Sequence, residues 1–243
     1  MLAGTYAATE TAVIALQHGS WWTTPRSSFH FGWGGSASAE QDLLVHAAIG
    51  YQVSQIGAIA FDWACLAPQT AGWLGAALGL AFELPKEIGD GLHQGEGFAG
   101  DDMLAASTGA LLPALHRSVP ATRMLGLKVF YWPSAEYLNR TGPLPQLESD
   151  YAGQRYFLAI DPGRLPHGAG PWPDWLGIAI GHGTDHWATI PPDHVWYATL
   201  DLNLRGIPIH TRWWHTIATL VDQVKIPLPG LKLVDGTVHA GVY

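Results

Sequence analysis

The first half of the chain consists of long apolar runs separated by short polar segments. Residues 43–61 and 63–82 contain no Asp, Glu, Lys or Arg, and a shorter apolar run covers residues 103–115. Runs of about 20 apolar residues are long enough for helices that cross a bilayer. Because Ala and Gly outnumber Leu and Ile in these runs, such helices need neighbouring helices to pack against. We predict three to four Ala/Gly-rich helices, which are membrane-associated or, alternatively, buried in a soluble α-helical domain.

Small residues within these runs indicate how the predicted helices meet. Gly75 and Gly79 form a GxxxG spacing in the second run, and Gly109 repeats the small-residue spacing in the third. Such positions allow helix backbones to approach closely. Upstream, residues 3–22 are mildly apolar and end in the pair Trp21-Trp22, which predicts a further helix with an interfacial anchor. The chain start has no Lys or Arg, so we expect no ordinary secretory signal there.

The second half alternates between apolar and polar positions, as β-strands do. Apolar residues from Trp196 to Leu204 alternate with polar ones from Tyr197 to Arg205, which predicts a strand whose polar side faces water. Asp235-Gly236 lies between two apolar segments and predicts a β-hairpin. Residues 213–224 follow helical spacing and predict one amphipathic helix, which Pro227 and Pro229 would end.

These patterns together predict an α+β fold in two parts. Residues 1–120 would form a helical, membrane-associated domain, since the apolar runs all lie there. Residues 121–243 would form a Trp-rich domain that contains a small antiparallel sheet of four or five strands and one amphipathic helix. The change in character near residue 120 sets the boundary.

Composition and motifs exclude several classes of protein. Lys and Arg total only 12 and the formal net charge is −8, so no basic stripe exists for nucleic acid. The single cysteine, Cys65, excludes an internal disulfide and a CxxC metal site. The sequence contains no GxSxG, HExxH or Walker motif. A nucleic-acid partner is therefore not expected.

Ionisable residues at the ends of the apolar runs are the candidates for chemistry. Asp42 and His46 share one helical face, and Asp102 follows a glycine-rich turn. Glu83, Glu87 and Asp90 share another helical face. Carboxylates with one imidazole suit a divalent metal or an acid/base site, in which His46, Glu87, Asp90 and Asp102 would be catalytic and Asp42 a further ligand. The alternative is structural: Asp42 and Asp102 cap helices, and Lys86 neutralises a neighbouring carboxylate.

The aromatic residues offer a second kind of candidate. The chain contains 12 tryptophans, more than one core requires, and Trp is enriched both at membrane interfaces and in binding hot spots. We expect interface or membrane-anchor roles for Trp21, Trp22, Trp63, Trp73, Trp132, Trp213 and Trp214. A second polar cluster, His182 with His186 and then His194, suits a metal only if its segment is helical, and Gly183 favours a loop.

Several of these segments, in order, resemble the YfiM-like family of bacterial envelope proteins, and more distantly the VanZ-like membrane proteins. The resemblance implies a helical membrane-associated core with a β-containing appendix in the bacterial membrane or cell envelope, and it implies no reaction. The sequence departs from the family pattern at Leu43, where the family has Lys, and at Ala106, where it has Asn. The matching segments are residues 28–31, 41–46, 87–91, 97–109, 128–134, 150–154, 176–181 and 225–229.

Three functional hypotheses follow. The leading one is a non-catalytic accessory or scaffolding subunit of a bacterial membrane complex, without cofactor, whose partners are lipid and other integral membrane proteins of a hetero-oligomeric assembly. The second is a metal-dependent membrane hydrolase that acts on a lipid-phosphate or cell-wall precursor. The third is a soluble α+β binding module, which the modest mean hydropathy of +0.09 favours. The inner membrane is the expected location, with the orientation open.

Overall fold

A computed structural model describes residues 22–33, 40–139, 150–165, 170–185 and 193–243, together with positions 9, 11, 12, 14 and 15. Within them the protein is α+β, with five helices and a six-stranded antiparallel sheet. Trp21, most of the helix expected over residues 3–22, and His186 lie outside the described residues. The prediction of fold class is confirmed at this level, whereas the sheet has more strands than the four or five expected.

Three long helices form a bundle: α1 (Gln41–Trp63), α2 (Pro68–Gly91) and α3 (Gly100–Ser118). The connection between α1 and α2 covers only residues 64–67, so the two helices run antiparallel as a hairpin. Proline at the first position of α2 suits a helix start, because no intrahelical partner exists there for its missing N–H. The polar segment around Glu87 continues α2 beyond the apolar run, as far as Gly91.

Glycines determine how closely these helices pack. A Cβ atom on Gly109 would lie 1.9 Å from the Ala47 carbonyl oxygen, and one on Gly75 would lie 2.5 Å from that of Ser54. A Cβ on Gly79 would lie 2.8 Å from the Gly50 carbonyl oxygen. All three predicted packing glycines therefore lie at backbone contacts with α1, where larger side chains would push the helices apart.

The sheet is a meander in which sequence neighbours pair: β3 (Leu125–Tyr131), β4 (Gln154–Ile160), β5 (Leu176–Gly183), β6 (Val195–Leu202), β7 (Pro229–Val234) and β8 (Thr237–Val242). Asp235 and Gly236, with φ of 49° and 72°, form the predicted turn between the last two strands. The predicted amphipathic helix is α5 (Arg212–Val221), between β6 and β7. A short helix, α4 (Ala135–Leu138), follows β3, and a parallel pair, β1 (Phe31–Gly32) and β2 (Phe98–Ala99), lies outside the sheet.

The polar side of the sheet faces the interior, which is the reverse of the expected pattern. In β6 the polar-side residues Tyr197, Thr199 and Asp201 are buried, whereas Trp196 and Leu200 on the other side are exposed. The prediction that the polar side of this strand faces water is therefore wrong. We name the side opposite to these buried polar residues the apolar face; α1 packs over part of it, at Val129 and Tyr156, and other parts, such as Trp196 and Val238, are exposed. Its cross-strand rows are Leu125, Ile160, Ile178 and Leu200; then Leu127, Leu158, Ile180, Ala198, Leu231 and Ala240; then Val129, Tyr156, His182, Trp196, Leu233 and Val238.

Paired charges explain why the polar side is inside. The Nζ atom of Lys128 lies 2.7 Å from Asp201 Oδ2 and 2.8 Å from Asp222 Oδ1, and all three residues are buried. The side chain of Lys225 also lies over the Phe157 ring on this side. Buried charges are tolerated when they are paired and hydrogen-bonded. Partners from β3 and from the segment after α5 therefore hold the polar side of β6 inward.

The bundle meets the sheet through α1. Val45 and Ala48 of α1 form a buried cluster with Tyr156 of β4, and Leu44 and Val129 pack against it. Among the described helices, α1 alone is long and apolar enough to cross a bilayer, and half of its most apolar stretch is buried within the molecule. The second expected span, now part of α2, does not meet the same criterion.

Candidate functional site

The helix connections bring the predicted polar residues to one end of the bundle. Since α1 and α2 are antiparallel, the start of α1, with Asp42 and His46, lies beside the end of α2, with Glu87 and Asp90. The glycine-rich turn after α2 is short, so α3 begins at the same end with Asp102 in its first turn. All five candidates named from the sequence therefore meet, and we call this set, with Glu83 and Lys86, the polar cluster.

His46 is the centre of the polar cluster. Its ring is only 1% exposed, and its Nδ1 atom lies 2.8 Å from Glu83 Oε2, to which it donates a hydrogen bond. The opposite nitrogen, Nε2, lies 3.6 Å from Glu87 Oε1, 3.8 Å from Asp102 Oδ2 and 3.9 Å from Asp42 Oδ1. Glu83 thus fixes the orientation of the ring and turns Nε2 toward three carboxylates.

Two of these carboxylates are incompletely satisfied. Glu87 accepts a hydrogen bond from the Ala99 backbone N–H on Oε2, but its Oε1 atom is buried and has no hydrogen-bond partner among the described residues. The Oδ1 atom of Asp102 is in the same situation. Buried polar atoms are nearly always paired in folded proteins, so such exceptions require an explanation. The N-cap residues of α1 and α3 are Glu40 and Ala99, so Asp42 and Asp102 do not occupy the cap positions that the structural alternative gave them.

Lys86 is the positive charge within the cluster. Its Nζ atom lies 3.4 Å from His46 Nε2, and Asp42 and Glu83 are the nearest negative charges that raise its pKa against the effect of burial. Burial and Lys86 lower the pKa of His46, but Glu83 and Asp42 outweigh them and the net shift is upward. Five carboxylates thus face two cationic groups, which leaves the cluster negative when its carboxylates are ionised.

Burial also raises the pKa values of the carboxylates. It raises the pKa of Glu87 to about 7 and that of Asp102 to about 6, against the opposing charge of His46. Burial raises the pKa of Asp90 as well, although the Trp22 hydrogen bond lowers it. A carboxylic acid that titrates near neutral pH is suited to take up and release a proton.

The segment before α1 closes one wall of the site. Trp22 is only 8% exposed; its indole N–H donates to Asp90 Oδ1 at 2.7 Å, and its ring stacks on His93. The expected role of Trp22 as an interfacial anchor is therefore replaced by a structural contact with the polar cluster. The first strands, β1 and β2, pair next to it. A cavity of about 180 Å³ remains above Asp42, His46, Lys86, Asp90 and Asp102.

Two contributors were not among the residues named from the sequence as ligands or catalytic groups. Glu83 shares the helical face of Glu87 and Asp90, so its spacing was the signal that could have found it. The hydroxyl of Tyr151 donates to Asp42 Oδ1 at 3.0 Å across 109 residues of sequence. No local pattern in the sequence marks that contact.

The remaining tryptophans take several positions. Trp73, Trp132 and Trp213 are exposed, the last at 67%, whereas Trp63 and Trp214 are half-buried. Trp63 is enclosed by contacts, since its indole N–H donates to Thr216 and its ring packs against Trp213 and Arg212. The exposed members keep the interface role as a prediction.

No protein-family model, curated protein or solved structure matches the chain. The resemblance to the YfiM-like family therefore stays a prediction, and the function is argued from the geometry alone.

Proposed function

We propose that the protein is a membrane-associated hydrolase that binds a divalent cation in the polar cluster and acts on a lipid-phosphate or cell-wall precursor. One observation carries the proposal: Asp42, His46 and Asp102 each offer a ligand atom, and these atoms lie within 4.8 Å of one another beside the unpartnered Glu87 Oε1. A cation would satisfy the buried oxygens and balance the excess negative charge.

The hydrogen bond from His46 to Glu83 supports the same proposal. Metal-binding histidines usually donate their second ring N–H to a carboxylate or carbonyl, which orients the ring and raises its basicity. His46 has this arrangement: Nδ1 contacts Glu83, and Nε2 lies 3.6 Å from Glu87 Oε1 and 3.8 Å from Asp102 Oδ2. A cation at Nε2 would take the place of the Lys86 Nζ atom, which lies 3.4 Å from it. Asp90, whose Oδ1 accepts the Trp22 indole N–H, is a wall of the cavity in this proposal and no longer a ligand.

The remaining groups have roles in hydrolysis of a phosphate ester. Asp42, His46 and Asp102 would hold the cation, which would supply a polarised water molecule, and Glu87 would accept the proton as that water attacks phosphorus. The bond between phosphorus and the leaving oxygen would break, and Lys86 would donate a proton to that oxygen. Phosphatidic acid would give inorganic phosphate and diacylglycerol, whereas a polyprenyl diphosphate would be cleaved at its phosphoanhydride to inorganic phosphate and the polyprenyl monophosphate. In both cases one proton passes from water to the leaving oxygen by way of Glu87 and Lys86.

The test is phosphate release by the full-length protein in mild detergent. Phosphatidic acid and a long-chain polyprenyl diphosphate are the probes, each with Mg²⁺, Mn²⁺ or Zn²⁺ and then with chelator. We expect cation-dependent release, which His46→Ala and Glu87→Gln lower by about 10²- to 10⁴-fold in kcat. Glu136→Gln, at an exposed position in α4, is the matched control and should be unchanged. Absence of release with every cation, or full activity of folded Glu87→Gln protein, would contradict the proposal.

A second candidate is the non-catalytic accessory subunit, which the apolar face favours. The strand positions on this face, from β3 to β8, include no Asp, Glu, Lys or Arg. Large exposed apolar patches mark membrane or protein interaction sites. If this candidate is right, Asp42→Ala and Glu87→Ala should impair folding or assembly in native membranes. An enzyme would instead lose activity and keep its oligomeric state, as measured by mass determination after detergent extraction.

A further inference from the structure

A second group of potential ligands lies away from the polar cluster, where α1 meets the sheet. Glu40 immediately precedes α1, His182 lies near the end of β5, and His194 immediately precedes β6. Each offers one ligand atom, and the three atoms lie within 4.8 Å of one another. The sequence suggested a site in which His182 and His186 share a helical face. His182 lies in the strand β5, so helical spacing does not bring this group together.

The distances within the group fit a tetrahedral metal site. His182 Nε2 lies 3.1 Å from His194 Nδ1, which in turn lies 3.5 Å from Glu40 Oε2. Zinc binds nitrogen and carboxylate oxygen at about 2.0–2.2 Å, which places two ligands of a tetrahedron about 3.3–3.6 Å apart. These two distances lie within tenths of an ångström of that spacing, and the third pair lies within 4.8 Å.

A buried glutamine supplies an independent indication. Gln41 is fully buried, its side-chain amide lies 2.8 Å from His182 Nδ1, and its Oε1 atom has no hydrogen-bond partner among the described residues. If the amide is rotated by 180°, Oε1 accepts a hydrogen bond from Nδ1–H of His182. The lone pair of His182 Nε2 would then be available to a metal ion that replaces the contact between Nε2 and His194 Nδ1. Such a carbonyl contact is the usual support for a metal-binding histidine.

We propose that Glu40, His182 and His194 form a binding site for Zn²⁺ or a similar transition-metal ion. Two imidazoles and one carboxylate suit Zn²⁺ far better than Mg²⁺ or Ca²⁺, which take oxygen ligands. Three protein ligands leave one coordination position of the metal open for water or for a small-molecule ligand, as in catalytic zinc sites.

The cavity beside the metal site indicates what kind of small molecule would bind there. The three residues border a cavity of about 600 Å³ between α1 and the apolar face, whose walls include Leu44, Leu158, Ile180 and Trp196. A molecule that reaches the metal from this cavity would have an apolar body and a donor group at one end. This site shares no ligand with the polar cluster, so either can exist without the other.

The test is metal binding by the full-length protein in mild detergent, measured by competition with a chromophoric Zn²⁺ chelator and by the visible spectrum of bound Co²⁺. His46→Ala serves as the background because it removes a central ligand of the polar cluster. We expect this variant to bind one Zn²⁺ per chain. Loss of an outer-shell partner weakens metal binding by about 10- to 100-fold, so loss of a ligand in His46→Ala/His194→Ala should raise the Kd at least about 100-fold.

The controls separate a lost ligand from a damaged fold. Glu40 and His194 are about half exposed, so Glu40→Gln and His194→Ala should leave the thermal midpoint of the metal-free protein unchanged. His210→Ala removes an exposed histidine elsewhere and should bind Zn²⁺ like the background. The proposal is overturned if His194→Ala and Glu40→Gln keep the affinity of the background, or if the background binds no Zn²⁺ at micromolar free metal.

Discussion

Glu87 combines burial with incomplete hydrogen bonding. Its side chain is 1% exposed, one oxygen accepts from the Ala99 N–H and the other has no partner among the described residues. Ionisation of a carboxylic acid in this position is unfavourable because the charge is desolvated, and burial therefore raises the pKa of Glu87 to about 7. Glu87 is therefore the residue at which pH should act most directly on the metal-free protein.

We predict that Glu87→Gln is more stable than the wild type at pH 8 and nearly equal in stability at pH 4, in the presence of chelator. The folded pKa lies above the unfolded value of 4.5, so the proton stabilises the folded state below about pH 4.5 and this stabilisation is lost as pH rises through 7. At about 1.4 kcal/mol for each pKa unit, the wild type should lose about 1–3 kcal/mol over this range. Thermal unfolding at both pH values measures the difference.

Glu136→Gln is the control for this prediction. Glu136 is exposed in α4, so the same chemical change there should leave the pH profile of stability unaltered. Addition of Mn²⁺ at pH 8 should raise the midpoint of the wild type more than that of Glu87→Gln, since the ionised carboxylate then has a partner. An identical gap between variant and wild type at both pH values would be inconsistent with a buried, titrating Glu87.

At the scale of elements, α3 offers a matched comparison of two glycines. A Cβ on Gly109 would lie 1.9 Å from the Ala47 carbonyl oxygen, whereas a Cβ on Gly100 would meet nothing within 4 Å. We predict that Gly109→Ala destabilises the protein by about 1–3 kcal/mol or more through overpacking. Gly100→Ala should be neutral or stabilising by up to about 1 kcal/mol, because Ala favours the helix. Denaturant unfolding in detergent measures the free energy of unfolding of both variants. Equal values would exclude tight packing between α1 and α3.

Sequence patterns predicted part of this arrangement. Helical spacing grouped Asp42 with His46 and Glu87 with Asp90, because residues four or three apart share a helix face. The contact of Tyr151 with Asp42 spans 109 residues, and no local spacing indicates it. Trp22 resembled a membrane anchor from its neighbours, but its partner Asp90 lies 68 residues away.

The orientation of the sheet shows a different limit of sequence patterns. A period of two separates the two sides of β6 but does not say which side is inside. That choice depends on Lys128 from β3 and Lys225 from the segment after α5, which both pair with Asp201. Asp222, from the same segment, pairs with Lys128. The partners become visible only when the strands are assembled, so the rule that polar residues face water failed here.

At the scale of the whole molecule, the apolar face predicts binding to lipid. Val238 and His239 are adjacent, exposed residues of β8 on opposite sides of the sheet, and only Val238 belongs to the apolar face. We predict that Val238→Glu lowers the partition onto phosphatidylethanolamine/phosphatidylglycerol vesicles by about tenfold, since burying a Val stabilises by about 1.5 kcal/mol. Flotation of the purified protein with vesicles measures the partition.

His239→Glu is the internal control, because it adds the same charge to the same strand on the other side of the sheet. It should change the partition by no more than about twofold. Equal losses in the two variants would mean that charge alone, and not the apolar face, governs the interaction. Unchanged binding of Val238→Glu would indicate that lipid does not contact β8.

The inverted sheet also constrains how this protein can be engineered. Solubility is usually improved by exchanging exposed apolar residues for Lys or Glu, but on this sheet such changes would remove the surface that we propose binds lipid. Interiors are usually made more stable by replacing polar residues with apolar ones, but removing Asp201 alone would leave Lys128 and Lys225 with one fewer buried partner. Only joint replacement of all the charged residues on the inner side would avoid that cost, so the hidden charges of this sheet have to change together in evolution as well as in design.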